Sequence, residues 1–265
     1  MIGPLAVAGG LVHERDEMRS YAIGDIHGHL AQVHAAHALI AADRAACGDT
    51  DAPIVHLGDL VDRGPDSKGV IQFLMDGQAR GESWVVLRGN HDRMFLGFLR
   101  DPYTEDSILS SHVTYLNPRV GGEATLQSYG IPDAFSRPTE DLIGQLGAIP
   151  QNHRDWLAAQ PAYHLRGEVL FVHAGIRPGV DLHDQVEDDL LWIREPFLSD
   201  TRDHGALIVH GHTNIQVATH YGNRLNLDSG AGYGHPISAA VIEGRDAWLL
   251  TAQGRMPLTP QRASK

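Results

Sequence analysis

Five short segments, separated by long intervals, each join glycine to an acid, an amide or a histidine: GDIHGH from Gly24, GDLVDRGP from Gly58, GNHD from Gly89, VHAG from Val172 and HGHT from His210. Together they supply Asp25, His27, Asp59, Asn90, His173 and His212, a set made entirely of oxygen and nitrogen donors. Such donors suit two divalent cations that share one carboxylate. A lone aspartate and histidine would more often form a surface turn, but the recurrence of the pattern points to a metal centre. Two ions held about 3.5–4 Å apart can present a hydroxide to phosphorus in line with the leaving oxygen, so the chemistry expected is metal-dependent hydrolysis of a phosphoester.

Donors so far apart in sequence need rigid supports. The first three segments follow apolar runs: SYAI before Gly24, APIVHL before Gly58 and WVVL before Arg88 and Gly89. Runs of this length closed by glycine mark buried strands. In open α/β sheets, ligands gather at the carboxyl ends of strands, so donors just beyond several strands can converge. Strand 19–23, helix 30–46, strand 54–57, helix 67–78, strand 84–87 and helix 91–100 are predicted in order, with Leu30, Val33, His37 and Ile40 at helical spacing in the first helix. Residues at about 101–160 read as a helical insertion, with TLQSYG, DLIGQLG and HRDWLAAQ as its helical pieces, because a loop of that length is uncommon. Strands are predicted thereafter at 163–165, 169–172, 207–209, 216–220, 224–228, 239–243 and 248–251. Two sheets packed face to face absorb them all. The fold class is therefore α/β, a four-layer α/β/β/α sandwich of two mixed sheets flanked by helices.

Composition narrows the partners. The chain of 265 residues carries 33 Asp and Glu against 21 Lys and Arg, a formal charge of −12. That balance argues against nucleic acid or an anionic membrane surface as a partner, since both call for a basic face. A phosphorylated substrate must then be met by a local field. Two dications set against two carboxylates and one hydroxide leave a formal surplus of about +1, which attracts phosphate. The single Cys47 excludes an internal disulfide and is compatible with a reducing compartment. No apolar stretch approaches the roughly 18 residues of a membrane span. Residues 1–18 read as a loose N-terminal extension without the basic leader of a signal peptide, 19–265 as a single domain, and the location as cytoplasmic.

The motifs, in this order and over residues 19–250, resemble the calcineurin-like metallophosphoesterases, and within them the phosphoprotein phosphatase family of serine/threonine phosphatases in its bacterial or phage form. The resemblance implies that Asp25 and His27 bind one ion, that Asp59 bridges, and that Asn90, His173 and His212 bind the second. It implies two divalent ions, with manganese first and iron or zinc as alternatives. Arg63, in VDRGP, and Arg194, in LLWIRE, correspond to the arginines that clamp phosphoryl oxygens, a task suited to the forked guanidinium. His91 corresponds to the proton donor for the leaving oxygen and Asp62 to the residue that orients it. Departures are GNHD where the eukaryotic enzymes end in glutamate, VHAGI in place of a double glycine, and HGHT where they carry arginine, so their peptide grooves and regulatory partners do not transfer.

Several residues keep two readings. His29 either supports the first ion from behind or begins the following helix; His210, which on a continuing strand would share a face with His212, is either an alternative ligand or a neighbour; Tyr233 and His235, in GAGYGHP, either edge the site or belong to a plain turn. His13, His34, His37, His153, His183 and His204 lie outside any motif and read as surface or helix-face residues. The expected substrate is a phosphorylated protein or small phosphoester, with phosphoserine or phosphothreonine preferred. The alternatives are a dinucleoside polyphosphate or nucleotide hydrolase and a metal-binding scaffold without catalysis. VDRGP favours the first, because symmetrical dinucleoside tetraphosphate hydrolases resemble this family but usually lack the aspartate at Asp62. No ligand or acid is missing, which disfavours the scaffold.

Overall fold

The structure is a computed structural model and describes residues 18–103, 106, 108 and 113–261. The expected extension therefore lies, but for Met18, outside the described residues. From the N-terminus the elements are β1 (Arg19–Ile23), α1 (Leu30–Cys47), β2 (Ile54–His56), α2 (Ser67–Ala79), β3 (Trp84–Val86) and α3 (Asn90–Arg100). Then come the short helices α4 (Gly122–Ser128), α5 (Thr139–Ile143) and α6 (Gln151–Ala158), the strands β4 (Tyr163–Arg166) and β5 (Val169–Val172), and α7 (Glu187–Trp192). The chain closes with β6 (Leu207–His210), β7 (Thr219–His220), β8 (Arg224–Asn226), β9 (Ala239–Glu243), β10 (Asp246–Thr251) and β11 (Gly254–Pro257).

The strands form two mixed sheets, ordered β11-β10-β9-β1-β2-β3 and β4-β5-β6-β8-β7. In the first, β1, β2 and β3 run parallel and β9 joins β1 antiparallel. In the second, β5, β6 and β8 run parallel. Side-chain alternation divides each strand between two cores. Tyr21, Ile23 and Ile54 face the helices with Val33, Ile40, Val70 and Leu74, whereas Ala22 and Val55 face Val169, Phe171, Leu207 and Val209 between the sheets. On the far side of the second sheet, Leu170, Val172 and Ile208 pack against Leu190, Ile193 and Phe197. The four layers follow, the last of them thin because only α7 and its flanking loops supply it.

Within the expected insertion, helices form where TLQSYG, DLIGQLG and HRDWLAAQ were read, as α4, α5 and α6. Two local readings change. The strand expected over 216–220 contracts to Thr219–His220, because Val217 is 58% exposed and its carbonyl accepts the Thr219 hydroxyl in a turn. Of the two readings for His153, helix face holds and surface does not: it lies on α6 and is buried, its Nδ1 2.9 Å from the Tyr129 hydroxyl and its Nε2 3.0 Å from Gln72 Oε1. It pins the insertion to α2.

Candidate metal centre

Parallel pairing sets the carboxyl ends of β1, β2 and β3 side by side, and the loops that leave them carry Asp25 and His27, then Asp59, Asp62 and Arg63, then Asn90 and His91. From the second sheet, β5 and β6 deliver His173 and His212. The loops bend hard to aim these groups. Among the described residues, six non-glycine positions have positive φ, and five of them are His27 (46°), Asp59 (48°), Asp62 (74°), Arg63 (69°) and His212 (63°). Left-handed backbone is costly for residues with a Cβ and collects where geometry serves function. Gly211 is needed for a different reason. A Cβ there would stand 1.9 Å from Asp25 Oδ1, so only glycine lets the HGHT loop close over that carboxylate.

Five of the six expected ligands, His27, Asp59, Asn90, His173 and His212, meet in one cluster. Two groups of donor atoms, each with its atoms within 4.8 Å of one another, are formed by His27, Asp59 and His91 and by Asp59, His173 and His212, so Asp59 belongs to both. Its Oδ2 lies 3.6 Å from His27 Nε2 and its Oδ1 3.3 Å from His173 Nε2. Asn90 Oδ1 lies 2.8 Å from His173 Nε2 and 2.9 Å from His212 Nδ1. Asp25 stands behind these groups, where both of its oxygens accept from the His212 backbone N–H at 3.1 and 3.2 Å.

The tautomers suit cation binding. His27 Nδ1 sits 3.0 Å from the Val61 carbonyl and His173 Nδ1 2.9 Å from the Leu57 carbonyl, so in each ring Nδ1 donates and Nε2 turns a lone pair inward. Burial lowers the pKa of His27, His173 and His212 and keeps these imidazoles neutral, as a ligand must be. The His173 lone pair consequently faces oxygen acceptors, and His212 Nε2 is buried with no hydrogen-bond partner. Burial also raises the Asp25 carboxyl well above its usual range, with Asp228 and Asp59 adding repulsion. Converging lone pairs and mutually repelling buried carboxylates call for more positive charge than the neighbouring Arg63 supplies, so the residues fit divalent cations.

A cavity of about 290 Å³ opens over this cluster, lined by His27, Asp59, Arg63, Asn90, His91 and His212, with Arg119, Trp192, Arg194 and Tyr233 toward its mouth. Arg63 lies across the floor, its two terminal nitrogens each 3.0 Å from an imidazole Nε2, those of His27 and His91. Its guanidinium stacks 4.8 Å over the Tyr233 ring. His91 Nδ1 bonds Asp62 Oδ2 at 2.7 Å. The family model described as calcineurin-like phosphoesterase matches residues 18–241. The chain belongs to that family.

The relatives of this calcineurin-like phosphoesterase carry names from two substrate classes. It is 26% identical to serine/threonine-protein phosphatase 1 of Salmonella typhimurium over 252 residues, 88% of this chain and 97% of that one. It is 31% identical to the symmetrical bis(5'-nucleosyl)-tetraphosphatase of Bordetella pertussis over 159 residues, 59% of this chain. The chain thus spans under half of that tetraphosphatase, 43% of its length. Among solved structures, a cold-active protein tyrosine phosphatase superposes with a TM-score of 0.58 at 20% identity, covering 92% of this chain and 79% of that one, a likeness of fold.

Other positions of the phosphoesterase depart from the sequence reading or add to it. His210 does not share a face with His212: β6 ends at His210, the chain turns through Gly211, and the buried His210 ring packs 5.1 Å from Phe197 on the outer side of the sheet. His29 begins α1 and is hydrogen-bonded to the backbone of Ala231. Tyr233 edges the cavity, whereas His235 is not among its lining residues. Sequence reasoning missed Asp228, which follows β8 as His212 follows β6 and also lines the cavity. Its carboxyl is raised to about 6, by burial first and then by Asp59, against the opposing Gly230 N–H. It missed Tyr115 and Thr125 as well, whose hydroxyls reach Asp62 Oδ1 at 2.5 and 2.7 Å.

Proposed function

We propose that this phosphoesterase is a dinuclear phosphomonoesterase whose substrates are phosphoserine and phosphothreonine in proteins. In this reading Asp25 and His27 hold one ion, Asn90, His173 and His212 hold the other, and Asp59 serves both, with manganese as the favoured metal. When bound, the ions supply Lewis acidity toward the phosphoryl group and activate the attacking water. Arg63 and Arg194 grip the phosphoryl oxygens and fix their direction. His91, with Nδ1 bonded to Asp62, would give the departing oxygen a proton carried on Nε2, which requires the Arg63 guanidinium, 3.0 Å from that nitrogen, to turn from it onto the phosphoryl oxygens.

The hydrogen-bonded Asp62 and His91 pair carries the choice of substrate. A serine or threonine alkoxide is strongly basic and leaves poorly without a proton, so a positioned acid contributes about 10²- to 10⁴-fold. A nucleotide phosphate released from an anhydride is weakly basic and needs little such help. The second reading, a dinucleoside polyphosphate hydrolase, draws support from the Bordetella pertussis relative. The match to the Salmonella typhimurium phosphatase, over 88% of this chain and 97% of that one, supports the first. The test is kcat/KM for phosphoserine and phosphothreonine peptides against diadenosine tetraphosphate, with metal content measured on the same protein. Preference for the dinucleotide would make the second reading the correct one.

A further inference from the structure

Asp62 is fully buried at a positive φ, and no lysine or arginine among the described residues forms a salt bridge with it. Its orientation is set by hydroxyls. Tyr115 and Thr125 both donate to Oδ1, which leaves Oδ2 to His91 Nδ1. Thr125 Oγ1 also accepts the Asp62 backbone N–H at 2.8 Å, and Ser67 Oγ reinforces the knot at 3.0 Å from Thr125 Oγ1. The next residue is held from the same side, for Arg63 N–H donates to the Gly121 carbonyl at 3.1 Å, and a Cβ on Gly121 would stand 2.6 Å from Arg63 Cγ. Tyr115 is itself fixed by Phe98 and Phe95, with ring centres 5.0 and 5.8 Å away. Apart from His91, Ser67 and the two phenylalanines, the groups that hold Asp62 and Arg63 come from the insertion.

We propose that the insertion is the support for the proton donor, with Tyr115 and Thr125 as positioning residues that lock Asp62 so that its Oδ2 alone presents to His91. The inference rests on the reading of His91 as the acid. Two hydroxyls on one carboxylate oxygen forbid rotation of the carboxyl group, and rotation is the motion that would release the imidazole. Burial and the Asp62 carboxylate keep the Tyr115 phenol protonated, so it remains a donor throughout the pH range of the assay.

The experiment compares full-length metal-loaded wild type, Tyr115→Phe, Thr125→Val and Thr125→Ser on a phosphoserine peptide and on p-nitrophenyl phosphate. The phosphoserine rate should fall about tenfold in Tyr115→Phe and Thr125→Val, the rate equivalent of one hydrogen bond to a charged group. The p-nitrophenyl phosphate rate, whose leaving group is already stable, should fall about twofold or less. Thr125→Ser restores the hydroxyl and the phosphoserine rate. The ratio of the two rates does not depend on the fraction of enzyme that is folded, so lost stability cannot mimic the result. In the His91→Ala background, Tyr115→Phe should cost nothing further. Equal losses on both substrates, or an additive loss in that background, overturn the positioning role while leaving His91 as acid. A His91→Ala enzyme that loses both rates equally overturns the acid assignment and this inference with it.

Discussion

Asp59→Asn is the sharpest perturbation of the proposed centre, because this carboxylate belongs to both donor groups. The substitution keeps shape and volume. Asn can still accept from the His91 backbone N–H, as Asp59 Oδ1 does at 3.0 Å, so the start of α3 should hold. What changes is the other atom: an amide N–H replaces Oδ2 and points a proton toward the lone pair of His27 Nε2, 3.6 Å away. A site built of lone pairs becomes one that satisfies itself. Two ions bound to the folded state, each at about ten times its Kd, together add about 2.8 kcal/mol. Each kcal/mol moves Tm by roughly 2–4 °C in a domain of this size. Wild type should therefore gain roughly 5–10 °C on adding manganese, and Asp59→Asn should gain about 2 °C or less. Turnover should fall about a thousandfold, the several kcal/mol of charge stabilisation that the ions supply. Elemental analysis, a thermal melt with and without metal, and p-nitrophenyl phosphate hydrolysis measure these together. An Asp59→Asn protein that retains two ions and wild-type turnover would refute the bridging assignment.

Gly211→Ala places a methyl group 1.9 Å from Asp25 Oδ1 and should reduce metal content to about one ion per chain with native circular dichroism; unchanged metal content would contradict the tight closure. Arg63→Ala and Arg194→Ala should each weaken inhibition by inorganic phosphate and lower turnover by about tenfold or more, and wild-type values for Arg194→Ala would remove it from the clamp. Arg255→Met tests a structural pair far from the centre. Burial raises the Asp43 carboxyl, but its bonds to Arg255 and Tyr21 outweigh burial and hold it below the usual carboxylate range. Its stabilisation is then complete above about pH 4 and disappears as pH falls through the lowered value. The variant should lose about 1 kcal/mol by urea unfolding at pH 7 and progressively less as the pH is lowered below 4, and a constant difference across that range would show that the pair is not the cause.

The centre was readable where local pattern and chemistry coincide. Apolar runs closed by glycine located β1, β2 and β3, and the donor residues just beyond them could be named without knowing how the strands pair. Asp228 escaped because that pairing is what gives it meaning: LNLDSG is an ordinary strand end until β8 is seen to run parallel to β6. Tyr115 and Thr125 escaped for a similar reason, since their partner lies 53 and 63 residues away and neither sits in a periodic pattern that points toward it. His210 was misplaced by extending strand alternation past the last strand residue, where the positive φ of His212 breaks it. His153 could have been found from sequence, because Leu157 follows it by one helical turn and shares its buried face.

The pairing of β1 with β9 joins Arg19 to Glu243, 224 residues further on, and so fixes the order in which the molecule can be made. The partner of β1 on one side, β2, lies close in sequence, but the other edge of β1 stays open until β9, at Ala239–Glu243, emerges. Gly24, at the head of the Asp25 and His27 loop, donates to the Ser238 carbonyl at 3.0 Å, so that loop cannot settle before residue 238 has arrived. A nascent chain halted just short of there would already carry every proposed ligand but lack the bond that seats the first of their loops. Contacts this distant in sequence form late and slowly. Metal uptake should therefore mark the completion of folding, and an unfinished chain should present a bare strand edge to its neighbours.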